Sequence, residues 1–211
     1  MESPRPGAVD ARGIRTQDEQ GDQVILTIGH SNHDPEHFAQ LLANEEVDLV
    51  VDIRSQPYSR FAPHFNRSTL AALLTSSGIG YQHEPDLGGR PDDPEMYDAT
   101  GHVLYGLVAD SVRFRAALDR LEEVAATGTV AILCGEEDPA ECHRRLLVGR
   151  VLGEDGWDVR HIRSEGALQR DSDLPKTDNG QGRLFEGGEF STWTSTQSVS
   201  PRSRPRPSSR R

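Results

Sequence analysis

The chain has little cysteine and no long hydrophobic run, and each shortage excludes a class of protein. Its 2 cysteines among 211 residues are too few for a disulfide framework. No stretch approaches the roughly 18 consecutive apolar residues of a membrane span, and the N-terminus lacks the apolar core of a signal peptide. These shortages predict a cytoplasmic protein without a membrane partner.

Hydrophobic residues are also scarce, at 34% of the chain with a mean hydropathy of −0.63. The deficit is local, because residues 1–22 and 165–211 are polar and rich in Gly, Pro, Ser, Gln and Arg. The segment between them has the composition of an ordinary globular domain. We therefore predict one domain at 23–164, preceded by a disordered leader and followed by a disordered tail.

Lysine is almost absent, and the charge is uneven along the chain. A single lysine, Lys176, stands among 23 basic residues, a bias typical of GC-rich bacterial genomes. The net charge is −11, but residues 201–211 contribute five arginines, so residues 1–200 carry −16. A domain this acidic repels phosphate backbones, so nucleic acid is a candidate partner only through the Arg-rich tail. That tail also fits a solvated terminus without a role.

Short apolar runs alternate with amphipathic segments along the predicted domain. The runs predict five strands, within QVILTIG, VDLVVDIR, GYQH, TVAILC and WDVRHI. The segments between them predict helices from Asp34, from about Arg67, across the region of Leu104 to Val124, and from Asp138. Alternation of this kind predicts an α/β three-layer sandwich with a mostly parallel sheet of about five strands.

Polar side chains of reactive types follow four of these strands, where ligands of open α/β sheets bind. We predict catalytic roles for His30, Asp52, Cys142 and His143. The predicted substrate-binding residues are Ser31, Arg54, Ser59, Arg60, Gly88, Gly89 and Arg144. Arginine forks suit a phosphate or a carboxylate, so the expected ligand is a small anion.

Each of these residues also has a structural interpretation. His30 can be a general base or ligand, or a histidine hydrogen-bonded for stability. Asp52 can orient Arg54 or cap a turn, and Arg54 with Arg60 can form surface ion pairs. The Gly88-Gly89 pair can admit a ligand to the backbone, or only permit the turn.

The stretch ILCGEEDPAECHRRLL, residues 132–147, contains both cysteines. Asp138, Pro139 and Glu141 resemble a capping box that starts a helix, which would place Cys142 and His143 in or near its first turn. The positive end of that helix, with Arg144 beside it, is expected to lower the thiol pKa of Cys142.

Other roles for the cysteines are less favoured. The seven-residue gap between Cys134 and Cys142 matches no common zinc knuckle, and further ligands would have to come from His30 or His33. We therefore predict no metal site, and a disulfide is disfavoured in the cytoplasm. Cys134 at a strand end also fits a buried residue of the core. The sequence identifies no cofactor and leaves the oligomeric state open.

Motifs in order along the chain resemble one bacterial and archaeal family. TIGHS, VDIRSQPYSRF with FN, Y with LGG, LCGEEDPAECHR and a closing VRHI resemble domain of unknown function 488 over about 24–164. The resemblance implies an α/β fold but no settled activity. It marks as signature positions His30, Ser31, Asp52, Arg54, Pro57, Ser59, Arg60, Cys142, His143 and Arg144.

A weaker resemblance is to rhodanese-like domains, in VVDIRS and in AILC with GEDGWDVRHI. The loop after Cys134 departs from that pattern, since Glu136, Glu137 and Asp138 would repel an anionic persulfide.

Three functions follow from these observations. The first is an enzyme acting on a small anionic, nucleotide-like substrate through a His/Arg/Cys site, with Cys134 or Cys142 as nucleophile or redox thiol. The second is a rhodanese-like sulfur carrier. The third is a non-catalytic module that senses a ligand or associates with nucleic acid.

Overall fold

The computed structural model describes residues 23–175 and 193–199. The leader 1–22 and the Arg-rich segment 201–211, for which the sequence predicts disorder, lie outside the described residues. No helix among those described is long and apolar enough to cross a membrane.

A six-stranded sheet forms the centre of the fold. Its strands are β1 (Val24–Gly29), β2 (Leu49–Asp52), β3 (Gly80–His83), β5 (Val130–Cys134), β6 (Asp158–Ile162) and β7 (Leu168–Arg170). Their order is β3-β2-β5-β1-β6-β7, and every neighbouring pair is parallel except β6 with β7. All five predicted strands are present, and the predicted mostly parallel sheet is confirmed.

Helices cover both faces of this sheet. They are α1 (Pro35–Asn44), α2 (Arg67–Ser76), α3 (Tyr105–Asp110), α4 (Val112–Ala125) and α5 (Arg150–Glu154). One core cluster packs α1 and α2 against the sheet, and the other packs α3, α4 and the region of α5 against the opposite face. The alternating faces of β5 supply both clusters, Ile132 to one and Leu133 to the other. This is the predicted three-layer sandwich.

Helix α1 begins as its sequence predicts. The carboxylate of Asp34 accepts hydrogen bonds from the backbone N–H groups of Glu36 and His37, and Pro35 occupies the first helical position. Phe38, Leu41 and Leu42 form its buried stripe.

Two expected helices are interrupted. The segment expected to be helical from Leu104 starts as strand β4 (His102–Leu104) and then divides into α3 and α4, because the Ser111 hydroxyl caps α4 by accepting from the Phe114 N–H. The helix expected from Asp138 is a 3-10 turn, Pro139–Glu141, then a π-helix, Arg144–Gly149, that continues into α5. Cys142 lies between these two segments in an extended conformation, outside any first helical turn.

Two strands lie within the segment that the sequence predicts to be a disordered tail. β7 follows a turn at Gly166, whose φ is +85°, and forms an antiparallel pair with β6. β8 (Thr194–Ser198) pairs antiparallel with β4 in a separate two-stranded sheet. Trp193 anchors β8, because its indole N–H donates to the Leu146 carbonyl and Arg150 lies over its ring. Order therefore extends beyond residue 164, since edge pairing and one buried tryptophan hold polar sequence in place.

Candidate active site

A cleft of about 330 Å³ opens at the carboxyl edge of the parallel strands. The connections after β1, β2, β3 and β5 all contribute to its wall, as the parallel topology predicts. Its lining includes His30, Arg54, Ser59, Gly89, Cys134, Glu136, Cys142 and His143. These residues span more than a hundred positions of the sequence, and the sheet brings them together at one edge.

His30 follows β1 and is held from two sides. Its ring stacks on Phe65 with centroids 4.6 Å apart, and its Nδ1 lies 2.8 Å from the Ser31 carbonyl oxygen. A carbonyl only accepts, so Nδ1 carries the proton and Nε2 is the acceptor of the neutral ring. Burial, with the charge of Arg54 second, lowers the pKa of His30 to about 4. The ring is therefore neutral at pH 7.

Arg54 follows β2 and is fixed by Asp52. Its Nε donates to Asp52 Oδ1 at 2.8 Å, and its Nη2 donates to Asp52 Oδ2 at 2.6 Å. The Arg54 backbone N–H and the Tyr81 hydroxyl also donate to this carboxylate, at 3.1 and 2.7 Å. Burial opposes the charge of Arg54, but the bond to Asp52 outweighs it and raises the pKa of the guanidinium. A buried, charged and oriented arginine therefore lines the cleft.

Arg144 builds the floor beneath the cleft. Its side chain is fully buried, and it donates to the backbone carbonyls of Glu136 and Glu137 and to the Thr27 hydroxyl. Gly29 allows this loop to approach β1, because a Cβ at that position would collide with the Glu136 carbonyl. Arg144 thus holds the loop after β5, and its guanidinium donates its hydrogen bonds to groups of this chain.

The loop after β5 brings both cysteines beside a carboxylate and an imidazole. Glu136 Oε2 lies 2.8 Å from Cys134 Sγ and 3.2 Å from Cys142 Sγ. His143 Nδ1 lies 3.4 Å from Cys134 Sγ and 3.9 Å from Cys142 Sγ. One ligand-type atom from each of these four residues lies within 4.8 Å of all the others. The seven-residue gap between the cysteines does not separate their sulfur atoms, because the loop folds back on itself.

The close contacts within this cluster shift the pKa values of three of its groups. Glu136 is exposed as a residue, but partial burial of its carboxyl group opposes ionisation; hydrogen bonds from Cys134 and Cys142 and the nearby His143 outweigh this and lower the pKa of Glu136 to about 2. Burial lowers the pKa of His143, but its contacts with Cys142 and Glu136 outweigh that and raise it. Burial, followed by the bond with Cys134, raises the thiol pKa of Cys142. The expected lowering at Cys142 is wrong, because the thiol is enclosed rather than presented at a helix N-terminus.

The predicted residues divide into three groups in the structure. Those that line the cleft are His30, Arg54, Ser59, Gly89, Cys142 and His143. Asp52 and Arg144 lie behind it as buried supports, and the Ser31 carbonyl fixes the His30 ring. Arg60 is exposed outside the cleft lining, and Gly88 lines a neighbouring cavity. The guanidinium of Arg144, which is predicted to bind the anion, is buried and hydrogen-bonded within the protein.

Gly89 has a specific steric role. A Cβ there would lie 2.6 Å from His143 Cγ, so only glycine leaves room for that ring. The glycine thus sets the position of the imidazole beside the thiols.

Among the lining residues of the described cleft that sequence reasoning missed are Tyr105, Ser195, Thr196 and Gln197. Tyr105 begins α3, and the other three belong to β8. A tryptophan within the alternating run TWTSTQSV was the available signal for a strand in the polar tail.

A larger cavity of about 530 Å³ lies next to the cleft. It is lined by Pro85, Asp86, Gly88, Arg90, Pro91, Asp92, Asp93, Pro94, Met96, Val108, Ser111 and Arg113. Arg113 bridges Asp86 and Asp92, and its side chain is 61% exposed.

The fold and this cleft define an α/β protein with a mostly parallel sheet and a candidate site of thiols, imidazoles and an arginine at its carboxyl edge. The family described as domain of unknown function DUF488 matches residues 34–151, more than half of the chain, so the chain belongs to that family. The match includes every predicted site residue except His30 and Ser31. No curated protein and no solved structure matches the chain.

Proposed function

We propose that the chain is an enzyme that acts on a small anionic substrate, such as a nucleotide, in the cleft at the carboxyl edge. The observation that carries the proposal is that the neutral imidazole of His30, the fixed guanidinium of Arg54 and two thiols line the same cleft. Titratable groups with displaced pKa values inside a cleft are typical of active sites.

Arg54 is the anion-binding residue of this proposal. Asp52 occupies its Nε and Nη2 atoms, which leaves Nη1 outside the bidentate pair to meet an anionic group. Because the ion pair and Tyr81 fix the guanidinium in advance, little side-chain entropy is lost when the substrate binds.

His30 is the proton-transfer residue. Its Nδ1–H is committed to the Ser31 carbonyl, and its Nε2 is an acceptor at neutral pH. A base of this kind takes a proton from a substrate hydroxyl or from water. His143, which lies among the thiols, is assigned to the cluster rather than to the substrate.

The sulfur-carrier alternative is less well supported. The ionised carboxylate of Glu136 lies within 3.2 Å of both sulfur atoms and would repel a persulfide anion. Thiosulfate treatment followed by intact-mass measurement is therefore expected to add no sulfur. A cytoplasmic location also remains part of the proposal, because a reducing compartment preserves two free thiols.

The test uses inorganic phosphate and adenosine 5′-monophosphate as probes of the full chain. We expect both to raise the melting temperature, and the nucleotide to bind at least about tenfold more weakly to Arg54→Lys, which keeps the charge and loses the fork. Arg113→Lys, in the larger cavity, is the matched control and should bind as the unaltered chain does.

A wider panel of phosphate monoesters and carboxylates then searches for turnover. His30→Gln should abolish turnover of any substrate found while it still binds the anion. Anion binding that Arg54→Lys leaves unchanged, or a panel in which no anion stabilises the chain, would overturn the proposal.

A further inference from the structure

Four side chains on the cleft wall combine donor types that transition metals prefer. Cys134 ends β5, Glu136 follows two residues later, and Cys142 and His143 lie directly before the π-helix. We infer that Cys134, Cys142 and His143, with Glu136 as the fourth donor, form a site for one Zn²⁺ ion or a similar transition-metal ion. This inference stands whether or not the cleft is catalytic.

The distances within the cluster fit a tetrahedral shell. Zinc bonds of about 2.3 Å to sulfur and about 2.0–2.2 Å to nitrogen or oxygen separate neighbouring ligand atoms by roughly 3.3–3.8 Å. The four donor-to-donor distances between a thiol and Glu136 or His143 are 2.8, 3.2, 3.4 and 3.9 Å. All four donors lie within 4.8 Å of one another. The Cys134 to Glu136 distance would have to lengthen by about 0.5–1 Å to reach the tetrahedral range.

The donor chemistry selects the class of metal. Two sulfur atoms and one imidazole nitrogen suit zinc and related ions of intermediate softness, whereas Mg²⁺ and Ca²⁺ require shells of oxygen. Two cysteines, one histidine and one exposed glutamate also resemble the donor count of sites that keep a replaceable fourth position. Glu136 is the solvent-exposed member, so the replaceable position would open toward the cleft.

Neighbouring groups hold three of these donors in place. The Arg144 backbone N–H donates to Cys142 Sγ at 3.4 Å, and the Arg144 guanidinium fixes the carbonyl of Glu136. The absence of a side chain at Gly89 allows the His143 ring to lie beside the thiols. Outer contacts of this kind orient metal ligands before the ion arrives.

The test is a titration of the reduced full chain with Co²⁺ alone, under nitrogen. We expect one equivalent to give intense visible bands of tetrahedral cobalt with thiolate-to-cobalt charge transfer in the near ultraviolet, and one equivalent of Zn²⁺ to remove both. Loss of an outer contact costs metal affinity about 10–100-fold, so loss of a ligand in Cys142→Ser should cost more than about 100-fold.

Two further variants keep the result interpretable. Glu136→Gln should weaken binding but retain the charge-transfer band, since both sulfur ligands remain. His30→Gln, in the same cleft but outside the four donors, should bind Co²⁺ as the unaltered chain does, and far-ultraviolet circular dichroism checks that each variant is folded. A pale octahedral spectrum without charge transfer, or equal affinity in folded Cys142→Ser, would overturn the inference.

Discussion

Two adjoining cavities differ in what holds their walls in place. The larger, of about 530 Å³, is lined by loop prolines and carboxylates, and its arginine, Arg113, is 61% exposed. The wall of the smaller, of about 330 Å³, includes buried functional groups, with Arg54 and Cys142 7% and 1% exposed. The volume of a cavity therefore does not identify the site. The proposed site rests instead on the buried, hydrogen-bonded groups that the sheet brings together at one edge.

The difference has a topological cause. The smaller cleft lies where four parallel strands end, so residues distant in sequence meet there. The larger one lies between the segment 85–96 and the region of α3 and α4, so most of its wall comes from one stretch of chain. Three substitutions test whether the two cavities are as unequal as this comparison requires.

Arg144→Met should give the largest effect, because it removes the support of the smaller cleft. The carbonyls of Glu136 and Glu137 and the Thr27 hydroxyl would lose their donor inside the protein. We expect the free energy of unfolding, measured by urea denaturation, to fall by about 4 kcal/mol. A fall below about 1 kcal/mol would show that the buried guanidinium is not what holds the loop.

His30→Gln should change how stability depends on pH. The folded-state pKa of about 4 lies below the unfolded value of 6.5, so protonation favours the unfolded chain. The stability is present above pH 6.5 and is lost as the pH falls toward 4. Between pH 7.5 and pH 5 the unaltered chain should lose about 2 kcal/mol through this group, at 1.36 kcal/mol per pKa unit.

Urea denaturation at the two pH values measures that loss. The loss attributable to His30 should disappear in His30→Gln and persist in His37→Gln, which alters an exposed histidine. Equal pH dependence in His30→Gln and the unaltered chain would contradict the burial of the ring.

Arg113→Met should give the smallest effect, because its ion pairs in the larger cavity are exposed. Its contacts with Asp86 at 2.6 Å and Asp92 at 3.2 Å are short, but water screens them. We expect a change in the free energy of unfolding below about 1 kcal/mol. A loss comparable to that of Arg144→Met would remove the contrast between the two cavities.

Local sequence patterns predicted the strands and the sheet edge at which six of the candidate residues line one cleft. Apolar runs fix the buried strands, and Asp34 with Pro35 specifies the start of α1 through local contacts. The sequence predicts anion binding for both Arg54 and Arg144, and only the three-dimensional structure distinguishes them. Arg54 faces the cleft and Arg144 faces inward, a difference that depends on the path of the loop after β5.

Long-range contacts explain what sequence patterns missed. β8 is ordered because Trp193 packs against a helix more than forty residues earlier, which no local pattern encodes. Glu136 was interpreted only as a repelling charge, and its place between the thiols follows from a backbone held by Arg144 and Gly29. Spacing alone likewise concealed how close Cys134 and Cys142 lie.

X-ray absorption at the zinc edge of the zinc-loaded full chain tests the central claim, that the functional groups of this protein lie in the smaller cleft and bind a metal ion there. A site there predicts two sulfur neighbours at about 2.3 Å and the remaining neighbours at about 2.0–2.2 Å. An ion held by the carboxylates of the larger cavity, Asp86, Asp92 and Asp93, would have oxygen neighbours alone. A shell containing sulfur supports the account, and a shell without sulfur contradicts it.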